Sequence, residues 1–465
     1  MLAQSNWPPS FNDRRFKENW ILEDWTLKDS LSRNFSDRWK LIALSNNRNI
    51  WMSVGGQLRL RYQGTFNQEF VDKYYGEYTL RARLHADVHF GRNFRVFAEG
   101  IYSNAVDQGN TRLGVNTPVK DGAILNLFGE YTFNINSEWQ TEVWVGRREL
   151  QAGYERFVSP GNWLNTRRSW DGLGINIGRN SNQISAFISK PVIVIPDGFT
   201  QRDADAVFWG IRYQNDEVVY NMSSGYGVPS WSNYQKIHFE PYLFGLDRQQ
   251  VVFEQGTQDD KRYTLGVLFS GPIRNSHLDY ELEMAYQDGS FGSADISAYS
   301  ITVELGYNPR VFWQPRFWIG FDYASGDDNP NDNKLGTFDP LFPQATAWFG
   351  EHGTIDRKNL VSYSFNIDLR PLDIITTRLS YWNFSRAQVN DAVYNTANGI
   401  LRSPMGSAAR DLGNSVQISN IIRPNFQWEF NVTYNFWIPG KFFEETQNTA
   451  ALTQQYLMLT AQYSF

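Results

Sequence analysis

Residues 426–436, FQWEFNVTYNF, put Phe426, Trp428, Phe430, Val432, Tyr434 and Phe436 on one side of an extended chain. Gln427, Glu429, Asn431, Thr433 and Asn435 fall on the other. A period of two held over about ten residues specifies a strand with one apolar and one polar face. The pattern recurs along the sequence. In QLRLRYQ, Leu58, Leu60 and Tyr62 alternate with Gln57, Arg59, Arg61 and Gln63. YTLRARLHADVHF interleaves Leu80, Ala82, Leu84, Ala86 and Val88 with Arg81, Arg83, His85, Asp87 and His89, and LDYELEMAYQ repeats the scheme with Glu281 and Glu283. Strands of soluble sandwiches are about 5–6 residues long. These run about 9–12, the length a tilted strand needs to cross a bilayer. Charges such as Arg81, Arg83 and Asp87 on one face require water on that side.

Eighteen such segments are expected, beginning with 51–64 and ending with 456–465. Short turns (91–93, 134–138, 178–182, 370–373, 423–425) follow the even-numbered strands, and long loops (103–123, 326–359, 385–413) follow the odd ones. That describes an all-β fold: a transmembrane antiparallel β-barrel with short periplasmic turns and long extracellular loops, in the outer membrane of a Gram-negative bacterium. The stretch 215–235 is too long for a periplasmic turn, so an extra hairpin would make the count 16 or 20. The chain ends on QYLMLTAQYSF, a strand whose final aromatic suits barrel closure, where the last strand meets the first and no edge faces lipid. The chain divides into a periplasmic or plug-like segment, 1–48, and the barrel, 49–465. Phe11, Trp20, Trp25 and Trp39 make the first segment amphipathic, suited to a plug in the periplasmic mouth or a short helix beneath it.

Composition narrows the classes. The 465 residues include 33 Phe, 24 Tyr and 17 Trp, yet mean hydropathy is only −0.49, so apolar bulk is dispersed among polar residues. No apolar run approaches the roughly 18–20 residues of a membrane helix. There is no cysteine, hence no disulfide or thiolate metal site. A net charge of −6 argues against nucleic acid as a partner. The start, Met-Leu-Ala-Gln, has neither a basic n-region nor an apolar h-region, as in a mature exported chain behind an added methionine. There are five histidines and no GxSxG, HExxH or phosphate-binding glycine loop, and Glu281 with Glu283 on one strand reads as solvated wall, so no enzyme is expected.

ILEDWTLKD and DRWKLIALS, then SVGGQLRLRYQ, VGRRELQAGYERFVSPGNWLNTRRSWDGLG and ASGDDNPNDNKLGTFDPLFP occur in one order between about residues 21 and 370. In these pieces the chain resembles the alginate-export family of outer-membrane porins. The resemblance implies a monomeric eighteen-stranded barrel passing a polysaccharide or polar solute, with periplasmic export partners. It also implies lumen-lining basic positions at Arg59 or Arg61, Arg81 and Arg147, while Glu149 stands where the exporters carry a basic residue. A porin for small organic acids or sugars is the alternative, and a non-transporting adhesin or structural barrel the third.

The polar faces predict a lopsided lumen. Arg59, Arg61, Arg81, Arg83, Arg95, Arg147 and Arg212, with Glu149 among them, make a basic wall opposite Glu281, Glu283, Glu304, Asp322 and Asp368. Low-dielectric walls focus such a field. Guanidinium forks suit carboxylates, so the basic wall is either a track for an anionic or hydroxylated solute or a set of mutually paired charges. Trp139, Tyr307, Trp318, Trp437 and Phe465 near strand ends suit an aromatic girdle, with Trp318 and Trp382 the alternative sugar-stacking platforms. No cofactor is expected beyond calcium in an outer loop, where SGDDNPNDNK offers Asp327, Asp328, Asn329, Asn331 and Asp332; an Asx-rich turn is the competing account.

Overall fold

The computed structural model describes residues 19–23, 38–107, 120–195, 200–218, 236–274 and 276–465. Eighteen long strands form one closed antiparallel sheet. They are β1 (Ile50–Phe66), β2 (Tyr74–Phe90), β3 (Phe94–Asp107), β4 (Lys120–Asn134), β5 (Gln140–Arg148) and β6 (Trp170–Arg179). β7 (Asn182–Ile193), β8 (Val207–Val218), β9 (Lys236–Phe253), β10 (Gly256–Pro272), β11 (Leu278–Phe291) and β12 (Ala294–Tyr307) follow. β13 (Arg316–Ala324), β14 (Leu360–Leu372), β15 (Ile375–Arg386), β16 (Asp411–Ile422), β17 (Trp428–Pro439) and β18 (Gln454–Ser464) complete the ring. The closure expected of the C-terminal strand is present: β1 pairs with β2 on one side and β18 on the other, with Arg59 opposite Gln462. β8 bonds β7 and β9 directly, so no hairpin intervenes between them in the sheet; of the long connection expected at 215–235, residues 215–218 belong to β8 and 219–235 lie outside the described residues.

Burial is inverted relative to a soluble protein. Leu58, Leu60, Leu84, Val145 and Leu265 are 45–63% exposed, whereas Arg81, Arg262 and Glu281 are fully buried. The apolar phase of each strand therefore faces outward and the polar phase inward, as a barrel in lipid requires. Exposed rings form two belts: Tyr78, Tyr102, Tyr286, Tyr299 and Tyr363 toward the long loops, and Phe90, Phe94, Tyr131, Tyr307 and Trp428 toward the short turns. Tyr78 and Phe90 are about 12 residues apart; at roughly 3.3 Å each and a tilt near 40°, they stand about 30 Å apart in height, the hydrocarbon thickness. Trp437, expected in the girdle, is instead buried beneath the outer loops, its Nε1 donating to the Leu412 carbonyl at 3.0 Å.

Strand lengths exceed expectation, reaching 17 residues in β1 and β2 and 18 in β9. Two outer connections expected to be long are two-residue turns, at 254–255 and 292–293. The chain that would have formed loops there continues as paired strand above the bilayer. Two other outer loops, 149–169 and 325–359, turn into the barrel. Their apolar residues Phe157, Val158, Phe338 and Leu341 pack with Phe208, Tyr242 and Phe244 from the wall, giving the barrel a core. The loops also bond to each other: Phe342 N–H donates to the Phe157 carbonyl (2.9 Å) and Ser159 N–H to the Phe342 carbonyl (2.9 Å).

Candidate functional site: the divided lumen

The basic wall meets the inturned loop 149–169. Arg59 donates to the carbonyls of Asn162 (2.7 Å) and Leu164 (2.8 Å), Arg61 to that of Trp163 (2.7 Å), and Arg81 to the Asn162 carbonyl (2.9 Å). Three consecutive peptide dipoles thus take the place of anions against three guanidiniums. Arg81 also reaches Gln57 and the Asn162 side chain, and Arg61 lies over the Trp163 ring. These arginines are 0–8% exposed. They stand on the lumen side, as the alternation requires, but beneath the loop rather than along an open track.

Arg83 and Arg95 have other partners. Arg83 pairs with Glu99 (2.7 Å) and carries the Trp20 ring on its guanidinium at 4.0 Å. Arg95 forks onto both oxygens of Asp87 (2.7 and 3.0 Å) and donates to the Ile21 carbonyl (3.0 Å). Residues 20–22 form a single 3-10 turn, capped by the Asn19 side chain, that buries Trp20 and Ile21 against this wall. Glu149 lies just past β5, where it pairs with Arg167.

Arg147 corrects the sequence expectation. It shares the phase of Val145, which is 63% exposed, and pairs across the strands with Leu127 and Asp171. Its guanidinium binds Asp171 (2.7 and 3.0 Å) and the Thr200 hydroxyl (3.0 Å) on the outer face near the long-loop rim. The lumen residue of that segment is Arg148, one step along, which pairs with Glu142 (3.1 Å) and lies over Phe128 and Trp144.

On the acidic wall, Glu281, Glu283 and Glu304 converge on one guanidinium, that of Arg156 in the inturned loop. Glu304 accepts at 2.7 Å, Glu283 at 3.4 Å, and Glu281 in closer contact. The same guanidinium lies 3.6 Å from the centroid of Trp348 in the second inturned loop. Burial alone would lower the Arg156 pKa, but the glutamates outweigh it and hold the group charged, above its ordinary value. Arg156 therefore ties both loops to the wall. Nearby, Gly153 N–H donates to Glu240 (3.1 Å), and Tyr154 shares a 2.5 Å hydrogen bond with Ser270. Asp322 pairs with Arg357 and accepts from Thr302 (2.7 Å); Asp368 binds Arg378 (2.6 and 2.9 Å) and Trp318 Nε1 (3.2 Å).

The second loop is fixed by Asp339, held between Arg248 (2.7 Å) and Lys358 (2.9 Å). Burial pushes its carboxyl up, but Arg248, Lys358 and Arg262 prevail and keep it well below the usual range. Burial drives His352 down to about 3, so it is neutral at physiological pH. In the candidate calcium turn, Asp327, Asn329 and Asp332 side chains accept from backbone N–H groups of Asn329, Asn331 and Lys334, in the manner of Asx turns. Among the described residues no three His, Asp or Glu side chains are grouped to hold a metal ion.

Beneath loop 149–169 remains a cavity of about 610 Å³. Glu142, Asn176, Gln183, Asp216 and His238 line it, all near the ends of β5–β9 on the side of the 135–139 and 180–181 turns, so it faces the periplasmic side. Leu150–Tyr154 roofs it, Asn19 and Leu22 border it, and Arg212, paired with Glu240 at 2.9 Å, lies in its wall. Trp382, expected as a stacking platform, is buried, its Nε1 donating to the Trp348 carbonyl at 3.0 Å.

A closed eighteen-strand barrel with an apolar outer face, a polar interior and inturned outer loops is an outer-membrane channel of the porin type. The chain belongs to the alginate export family, whose sequence profile matches residues 50–455. It is similar in fold to three solved Pseudomonas aeruginosa barrels. OccK2 (OpdF) has a TM-score of 0.56 at 11% identity, with 89% of this chain and 97% of that chain covered. OprD has 0.55 at 12%, covering 89% and 94%. The outer membrane protein opdK has 0.55 at 10%, covering 89% and 99%. No curated protein sequence matches the chain.

Proposed function

We propose that this protein is a selective channel of a Gram-negative outer membrane that passes polar solutes of sugar size, with the inturned loops setting the aperture. The observation that carries this reading is loop 149–169, clamped to the basic wall at 162–164 and to the acidic wall at Arg156. A crossing held to both walls narrows the lumen against a long chain. The 610 Å³ hollow below it falls in the range of small-molecule sites. Residues 19–23 narrow the lumen further, with Trp20 held on Arg83. In liposome-swelling assays, permeation should fall steeply from monosaccharides to tetrasaccharides, and a long polyuronate should neither enter nor slow smaller solutes. Uptake or threading of the polyuronate by the unaltered protein would reverse the assignment.

Export of an anionic polysaccharide is the second reading, favoured by the family and by one feature of the basic wall. Arg59, Arg61, Arg81 and Arg167 gather around a single turn, 162–164. With that turn displaced, their forks would face the lumen in an array suited to carboxylates. Polyuronate block that appears only when the loop is released supports this reading.

A further inference from the structure

We infer that the periplasm-facing cavity is a recognition site for an uncharged sugar, an assignment that rests on the solute-channel reading above. Its wall carries a continuous polar band over four neighbouring strands. Glu142 on β5 stands opposite Asn176 on β6, Asn176 opposite Ser185 on β7, and Ser185 opposite Arg212 on β8. One row further toward the turns, Gln183 faces Gln214. Amides and hydroxyls offer donors and acceptors together, the complement of a ring bearing several hydroxyl groups.

The ionised groups in the band are arranged against an anion. Arg148 is engaged by Glu142 (3.1 Å) and Arg212 by Glu240 (2.9 Å). His238 stands between Asp216 (2.7 Å) and Glu240 (3.1 Å). Each cation is therefore met by a carboxylate, and of these charged side chains the two most exposed are acidic. Asp216 is 31% and Glu142 28% exposed, against 22% for Arg212 and 12% for Arg148. A solute carboxylate would meet like charge there and lose its hydration without a guanidinium in exchange. A hydroxyl instead donates to Glu142 or Asp216 and accepts from Asn176 or Gln214.

Apolar ring surface completes the site. Trp144 lines the cavity and lies across Gly174, where a Cβ would come within 2.6–2.8 Å of the indole. Glycine at that lumen position lets the ring lie against the wall, where it is buried under the Arg148 guanidinium, and the half-buried Tyr154 supplies the ring surface from the roof. The Tyr154 ring beside hydrogen-bonding groups matches the apolar face and hydroxyl edge of a pyranose.

The test is current block in planar bilayers, with maltose or digalacturonate added on the short-turn side of the full-length protein. Maltose should block at concentrations at least about tenfold lower than digalacturonate, the selectivity of a site whose polar groups match one solute and not the other. Asn176→Ala and Gln214→Ala should each raise the blocking concentration of maltose several-fold. Equal or stronger block by digalacturonate, or a conducting channel blocked by neither, overturns the sugar site and leaves the channel standing. A protein that reconstitutes folded but carries no current removes the channel reading, and the sugar site with it.

Discussion

An Arg156→Gln channel should conduct several-fold more current than the parent and lose the protease resistance of loop 149–169. The guanidinium bridges Glu281, Glu283 and Glu304, which are all nearly fully buried. Truncating one partner of a buried charge cluster leaves the others desolvated without compensation, a cost of about 3–5 kcal/mol. Here the cost is avoidable, because the outer loop can leave and admit water to the glutamates. The strain should therefore appear as loop opening rather than as barrel unfolding. A bias of that size moves a two-state equilibrium by a factor of about 150 to 5,000. Glu281→Gln provides the contrast. It removes one of three carboxylates while keeping the guanidinium paired, so its effect on conductance should be small. Single-channel recording and limited proteolysis of both variants decide the matter: unchanged current and cleavage in Arg156→Gln would mean that the loop is held elsewhere.

The alternation in the sequence carried the barrel because it is local. Each strand declares its two faces within ten residues, and lipid outside with water inside fixes which face goes where. The inturned loops are the reverse case. Arg156 lies 125 residues from Glu281 and 148 from Glu304, and no local pattern links them. A weak signal was present in YERFVSPGNW, which carries Phe157, Val158 and Trp163, too apolar for a loop in water. The basic wall was legible as a face but not as a site, since the arginines' partners are backbone carbonyls, which the sequence does not distinguish. Arg147 is a case of phase. The alternation of Val143 and Val145 sets Arg147 outward and Arg148 inward, and a one-residue slip exchanges the two. Position within the family motif pointed to the wrong member of the pair.

Leu84→Arg should prevent stable insertion, although Arg83 beside it is native. The two residues occupy opposite faces of β2. Arg83 points into the lumen, pairs with Glu99 and is 3% exposed; Leu84 points outward and is 57% exposed. Leu84 lies midway between Tyr78 and Phe90, the two interfacial rings of its strand, and hence near the bilayer midplane. Its cross-strand neighbours are Gly56 and Gly100, which offer no carboxylate to meet a guanidinium. An arginine on the lipid face at that depth costs about 2–4 kcal/mol, and near an interface about 0–1 kcal/mol. Tyr78→Arg should accordingly remain close to the parent in stability. Denaturant titration of folding into vesicles measures both differences, with Leu84→Ala as the control for lost apolar area. A Leu84→Arg protein as stable as Tyr78→Arg would mean that this face does not meet hydrocarbon, and the assignment of inside and outside would have to be exchanged.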